Sequence, residues 1–245
     1  MDILVCLSAV PDTTTKITFT DNNTQFNKDG VQFIINPYDE LALTKALEIT
    51  EAQGGEVTVV TVGDASVEPV MRKALAIGAH KAIRVNTVAQ DGMHAAQCIQ
   101  EAIGDTKYDI IFTGRESIDY NGGQVAGLLS EMLNMSLVNV VTSIEFNGQE
   151  VTAVRDIDGG RETVSASLPC VLSAQKELCE PRIPNMRGIM QARTKPLTVV
   201  ESAVNYSATQ YVGYELPEAK QGVKLIDPNN AGELMDLLRS EKKLL

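Results

Sequence analysis

The residues of this chain best suited to chemistry lie in loops, not in a catalytic set. TGRESIDYNGGQV follows the apolar run Tyr108–Phe112 and leads into a helical pattern over Gln124–Leu133. Its glycines Gly114, Gly122 and Gly123 permit close backbone approach to a ligand. The helix start beyond them offers unpaired N–H groups and a positive dipole end, a place for phosphate. Asn36, Pro37, Tyr38 and Asp39 form a second loop at a helix start, with an amide able to hydrogen-bond a base or ribose. Gly63 ends a third apolar run, Glu56–Val62. Alone, the first loop reads equally well as an ordinary strand–helix connection, and the second more simply as a helix cap. Ligands of open α/β sheets bind beyond the carboxyl ends of the strands. Three ligand-friendly loops at successive strand ends therefore favour a nucleotide more than any one does. Neither G-x-G-x-x-G nor a Walker A sequence occurs.

Two further segments stand out. Glu177–Lys195, ELCEPRIPNMRGIMQARTK, sets Ile183, Met186, Ile189 and Met190 among Arg182, Arg187 and Arg193, behind Pro181 and Pro184. Prolines fix φ and remove donors, so a plain core helix is not punctuated this way. Flexible thioether side chains suit a surface that meets partners, although local chemistry alone describes a surface loop capped by a short helix. VRDIDGGRETV carries Arg155, Asp156 and Asp158 into Gly159–Gly160. Its plain meaning is a charged hairpin.

Composition narrows the classes. Net charge is −11 over 245 residues, which argues against a general nucleic-acid surface, since phosphate neutralisation needs clustered Lys and Arg. Cys6, Cys98, Cys170 and Cys179 make no C-x-x-C pair, and with only His80 and His94 the spacing supplies no metal site. A reducing compartment is expected, and no signal peptide or membrane-spanning segment is read from the sequence. Hydrophobic content is 44% but aromatics only 4%, with no Trp. The core must be Val, Ile, Leu, Ala and Met, as suits α/β packing.

The elements that must position these loops alternate through the first half. Strands are expected at Ile3–Leu7, Glu56–Val62, Lys81–Val85 and Tyr108–Phe112. Helices are expected from Asp39 to Gln53 and over Glu68–Ile77, Gly92–Ile103 and Gln124–Leu133, with Gly78 and Gly104 as C-terminal stops. That alternation predicts a parallel sheet. Thr13–Phe19 is expected as a hairpin arm and Asn22–Gly30 as a turn-rich segment. From Leu137, LVNVVTSIEF, QEVTAVRDID and GRETVSASLPCVLSA predict an antiparallel extension of that sheet. Beyond Thr194 periodicity fades. Leu197–Gln221 is polar and turn-rich, and an amphipathic helix is expected over Asn230–Lys243, with Leu234, Leu237 and Leu238 on one face. The division expected is a nucleotide-binding domain over 1–193 and an arm over 194–245 for partner contact.

In order and spacing, EPRIPNMRGIM, VRDIDGG and GRESIDYNGGQV resemble the signature regions of the β subunit of electron-transfer flavoproteins. The resemblance runs from Met1 to about Lys195, more weakly beyond. It implies an adenine-nucleotide α-hydrolase-like fold, α/β with a mostly parallel sheet flanked by helices, an antiparallel extension and a long C-terminal arm. It also implies structurally bound AMP, with contacts at Cys6, the N-P-[FY]-[CD] motif Asn36–Asp39, and Val62. The G-[KR]-[QE]-x-I-D loop is present as Gly114, Arg115, Glu116, Ser117, Ile118 and Asp119. Its exit falls on Tyr120, Asn121, Gly122, Gly123, Gln124 and Val125. Tyr120, Asn121 and Val125 depart from the residues common there, two acids and a small hydroxyl. FAD would be held mainly by an α subunit, near Thr13, Arg155 and Asp156 of this chain; Thr13 stands where some relatives have an aromatic. Ile183, Met186, Ile189 and Met190 would dock acyl-CoA or other flavin dehydrogenases, Met186 standing at a Leu anchor. Electrons would pass to a membrane or soluble, quinone-reducing acceptor, with this chain in a bacterial cytoplasm and without catalytic residues of its own. Two alternatives stay open: a bifurcating-type subunit with a second FAD, and a universal-stress-type ATP-binding protein.

Overall fold

The computed structural model describes residues 1–219 and 222–244. Residues 220, 221 and 245, the end of the polar stretch and of the expected arm, lie outside the described residues.

The chain begins with β1 (Ile3–Cys6), β2 (Ala9–Pro11), β3 (Phe19–Thr20), β4 (Gln25–Phe26) and β5 (Phe33–Ile35). Helix and strand then alternate: α1 (Pro37–Gln53), β6 (Val57–Val62), α2 (Glu68–Ile77), β7 (Lys81–Val85), α3 (Gly92–Ile103), β8 (Ile110–Gly114) and α4 (Val125–Leu133). Four strands follow: β9 (Ser136–Asn147), β10 (Glu150–Ile157), β11 (Gly160–Ser167) and β12 (Cys170–Ala174). The chain ends with α5 (Met186–Ala192), β13 (Leu197–Val200) and α6 (Ala231–Ser240).

Nine strands form one sheet in the order β11-β10-β9-β12-β8-β1-β6-β7-β13. All pairs from β9 to β13 in that order are parallel, while β10 and β11 extend it antiparallel. The expected α/β class, with helices on both faces, is what the chain adopts. The central strands are largely apolar and buried because both of their faces are covered. Along β1, Ile3 and Val5 pack in the cluster that contains Leu43 and Leu47 of α1 and Met71 and Leu75 of α2. Leu4 and Cys6 join Ala96 and Ile99 of α3 and Leu129 of α4 on the opposite face. Gly78 (φ 154°) and Gly104 (φ 50°) end α2 and α3, as their positions in the sequence imply.

Three expectations are corrected. GRETVSASLPCVLSA is two strands, not one antiparallel run: it divides before Pro169, and β12 inserts between β8 and β9, parallel to both. The Thr13–Phe19 arm reduces to a two-residue ladder, Phe19–Thr20 against Gln25–Phe26, inside the stretch read as turn. Leu197–Val200, read as irregular, is the edge strand beside β7, in register Leu197↔Ala82 to Val200↔Val85.

β1 is followed in space by β6 and β7 on one side, then by β8 on the other, which makes the gap between β1 and β8 a topological switch point. Crevices for ligands form there, outside the strand carboxyl ends.

Candidate functional site

A cavity of about 1280 Å³ opens at that end of the sheet. Its wall takes Cys6 and Ser8 from the end of β1, Tyr38 and Asp39 from the start of α1, and Val62, Gly63 and Asp64 from the end of β6. Gly114 at the end of β8, Glu116–Tyr120, Gly122, Gly123 and Val125 complete it. The three loops singled out in the sequence thus meet in one place. Of the residues expected at a nucleotide, Asn36, Arg115, Asn121 and Gln124 do not line the cavity, and the rest do.

Asp39 organises the site. Its carboxylate accepts from Ser8 N (2.7 Å), Gly114 N (2.9 Å) and Asn36 Nδ2 (3.0 Å), so one buried side chain ties the ends of β1 and β8 to the start of α1. Burial pushes its pKa up to about 7, against the opposing pull of those three donors. Burial, and then the Asp39 carboxylate, also raise the Cys6 thiol far above its ordinary range. A thiol so placed is no nucleophile.

Asn36 was expected to offer its amide to a ligand. It is 1% exposed. Nδ2 donates to Asp39 and to Glu116 O (2.8 Å), and Oδ1 accepts from Ile118 N (3.3 Å). Its amide therefore braces the Gly114–Val125 loop from behind. The same loop is held by Ser117 N on Gly122 O (2.9 Å) and by the Ser117 hydroxyl on Asp119. The Arg115 guanidinium lies 5.8 Å from the centre of the Tyr38 ring, a cation–π distance. Val125 and Ala126 line the cavity, so the amino end of α4 abuts it. The first amides of a helix lack partners within it and carry its positive end.

Several glycines of this wall leave little room for a Cβ. A Cβ on Gly114 would stand 2.3 Å from Asp39 Oδ1 and 2.7 Å from Tyr38 Cβ, and one on Gly123 would stand 3.1 Å from Arg115 O.

The C-terminal arm returns to the cavity, a feature not anticipated from sequence. His94 Nε2 meets Val204 O (3.3 Å), and Thr209 N donates to Asp91 Oδ2 (2.7 Å). Tyr214 N donates to Asn23 O (2.7 Å), and its ring stacks on Phe19 at 4.9 Å and on Tyr211 at 5.8 Å. Tyr211, Tyr214 and Asp91 thereby join the lining. One signal was available: three of the six tyrosines lie within 206–214, in an otherwise polar stretch.

Thr13 also faces the cavity. Arg155 and Asp156 lie elsewhere, on β10, level with the carboxyl end of β12. Arg155 pairs with Glu162 (2.7 Å). Asp156 accepts from Arg161 Nε and Gln175 Nε2, both at 3.2 Å, and Arg161 also reaches Glu177. On the far side of the loop that follows β12, Ile183, Met186 and Met190 are 86%, 74% and 69% exposed, with Ile189 less so. α5 is capped by Asn185, whose Oδ1 accepts from Gly188 N (2.8 Å). Among the described residues no group of three His, Cys, Asp or Glu side chains is placed to hold a metal ion, and no helix is long and apolar enough to cross a membrane.

The profile of the electron transfer flavoprotein domain matches residues 23–205. The chain is 34% identical over 259 residues to the electron transfer flavoprotein subunit beta of Bacillus subtilis, each chain covered completely. The chain belongs to the electron transfer flavoprotein β-subunit family. The Syntrophomonas wolfei subunit beta is 36% identical, over 93% of this chain and 90% of that one. The caffeyl-CoA reductase-Etf complex subunit CarD of Acetobacterium woodii is 32% identical, over 99% of this chain and 98% of that one. The family name denotes electron transfer by a flavoprotein.

Proposed function

We propose that this electron-transfer flavoprotein β subunit pairs with an α subunit that holds most of the FAD, binds AMP structurally, and docks flavin dehydrogenases through α5. The observation that carries the reading is the cavity, where Asp39 and Asn36 fix three strand-end loops before any ligand arrives. Preorganised hydrogen bonds of this kind lower the ordering cost of binding. The donor set suits a mononucleotide: glycine-walled backbone at Gly114 and Gly123, an aromatic at Tyr38, and the α4 amino end for phosphate. AMP there would carry no redox chemistry. Its part is to complete the packing of three loops and, through Tyr211 and Tyr214, to tie the arm to the body.

When bound, FAD supplies the electron chemistry. This chain contributes Thr13 on the cavity side and Asp156 on the β10 rim as neighbours of the α subunit. The exposed apolar side chains of the arm, including Val212, Val223 and Leu225, are its partner surface. Ile183, Met186, Ile189 and Met190 present the apolar docking patch to acyl-CoA or other flavin dehydrogenases. A relative named for a caffeyl-CoA reductase complex is in keeping with electron exchange at the acyl-CoA level. A quinone-reducing acceptor, membrane-bound or soluble, takes the electrons onward from this cytoplasmic subunit.

A second reading has one observation in its favour. A cavity of about 1280 Å³ exceeds the usual 300–1,000 Å³ of a small-ligand pocket, which leaves room for a second FAD in place of AMP. Co-purification with the α subunit tests the proposal. Flavin absorbance that bleaches when a reduced acyl-CoA dehydrogenase is added supports it, and a chain carrying ATP but no flavin refutes it.

A further inference from the structure

At seven residues α5 is far too short to persist as a helix on its own. Yet it carries Met186, Ile189 and Met190, on which docking rests. It is held against α2 by two cations exchanged between the helix ends. Lys195, just beyond α5, sends Nζ to Leu75 O (2.9 Å), Gly78 O (3.2 Å) and Ala79 O (2.6 Å), at and just past the carboxyl end of α2. Arg72, within α2, sends Nη1 to Ala192 O (2.8 Å) and Lys195 O (2.9 Å), at and just past the carboxyl end of α5. The last carbonyls of a helix have no partner within it and form the negative end of its dipole, so a cation there both satisfies and stabilises them. Between the caps the two backbones touch: a Cβ on Gly188 would stand 2.3 Å from Ala76 O.

We propose that Lys195 and Arg72 are positioning residues for dehydrogenase docking: each caps the other's helix and so fixes α5 before the partner arrives. The inference rests on the docking reading of α5. A platform fixed in advance loses little further freedom on association, whereas a loose loop must be ordered at that moment. The Met186 and Met190 tips stay adaptable, while the backbone that carries them does not move. Neither cation lines the cavity, so their loss spares nucleotide and flavin.

The test uses the heterodimer with its α subunit and an acyl-CoA dehydrogenase that reduces the wild-type flavin. Initial rates are measured against heterodimer concentration, with backbone hydrogen exchange over residues 186–192 on the same samples. Lys195→Met is expected to raise KM about tenfold, the scale of one lost charged hydrogen bond, with kcat and flavin content unchanged and exchange accelerated. Arg72→Met should do the same from the other helix, and it serves if Lys195→Met fails to assemble. Lys195→Arg, which still donates to carbonyls, should retain most of the wild-type KM. Faster exchange with an unchanged KM overturns the proposal, as does exchange at the wild-type rate. Met186→Ala separates the two levels. If it raises KM while both cap variants leave KM alone, only this inference fails. If Met186→Ala itself leaves KM unchanged, docking through α5 fails and the inference falls with it.

Discussion

Gly114→Ala adds one methyl group where the cavity wall meets the backbone of α1. Its Cβ would lie 2.3 Å from Asp39 Oδ1, 2.7 Å from Tyr38 Cβ and 3.0 Å from Asp39 N, where ordinary contact begins near 3.4 Å. Swinging away one flexible tip cannot relieve this, because Tyr38 Cβ and Asp39 N belong to the first turn of α1. That turn must move by roughly 1 Å relative to β8, an overpacking worth about 1–3 kcal/mol. The shift also breaks the bond from Gly114 N to Asp39 (2.9 Å), leaving a buried donor unsatisfied at about 1–3 kcal/mol more. A total near 4 kcal/mol corresponds to a fall in Tm of about 8–16 °C for a chain this size. Nucleotide retention should fall with it, since the same movement pulls apart the ends of β1 and β8. Gly127→Ala is the control: on α4, a Cβ there meets nothing within 4 Å, and it should stabilise slightly. Thermal melts and nucleotide content of the purified heterodimer read both effects. A Gly114→Ala protein with wild-type Tm and full nucleotide content would refute the claim that this contact sets the cavity.

Other outcomes follow from the same geometry. Met186 is 74% exposed, so Met186→Ala should move stability by no more than about 0.5 kcal/mol while weakening dehydrogenase coupling about thirtyfold, the scale of a truncated interface anchor; a lowered Tm with normal coupling would make it a packing residue. Asp39 has a folded pKa raised from 3.8 to about 7, so the stability its protonated form contributes is complete below pH 3.8 and lost as pH rises through 7. That is about 4 kcal/mol across the window; the stability of wild type minus that of Asp39→Asn should fall between pH 4 and 7, and a flat or rising difference would contradict it. Replacing both Tyr211 and Tyr214 with Ser removes the stack on Phe19 and should speed nucleotide release from the heterodimer; release at the wild-type rate would show that the arm does not close the cavity.

The strand–helix alternation from Ile3 to Leu133 was legible because each element is an apolar run bounded by glycine or polar turns, and such signals are local. Pairing partners were less so. Cys170–Ala174 reads as the continuation of a hairpin, yet a crossover places it between β8 and β9, which no local pattern records. Leu197–Val200 has only four residues, two of them exposed, and edge strands of that kind leave no period to detect. In the site, the glycines and the helix start at Val125 announced the loops. The inward turn of the Asn36 amide did not show, since a helix-capping Asn and a loop-bracing Asn look alike in sequence. The return of the arm rests on Thr209 meeting Asp91 and Tyr214 meeting Phe19, contacts between residues far apart in the chain.

The central claim is that the cavity under Asp39 belongs to AMP while FAD lies mainly with the α subunit. Denaturing a purified, weighed heterodimer and separating the released nucleotides tests it directly. The account predicts one FAD and one AMP per heterodimer, with AMP lost and FAD retained in Gly123→Val, whose side chain would crowd Arg115 O. Two FAD and no AMP would contradict it and assign the cavity to a second flavin.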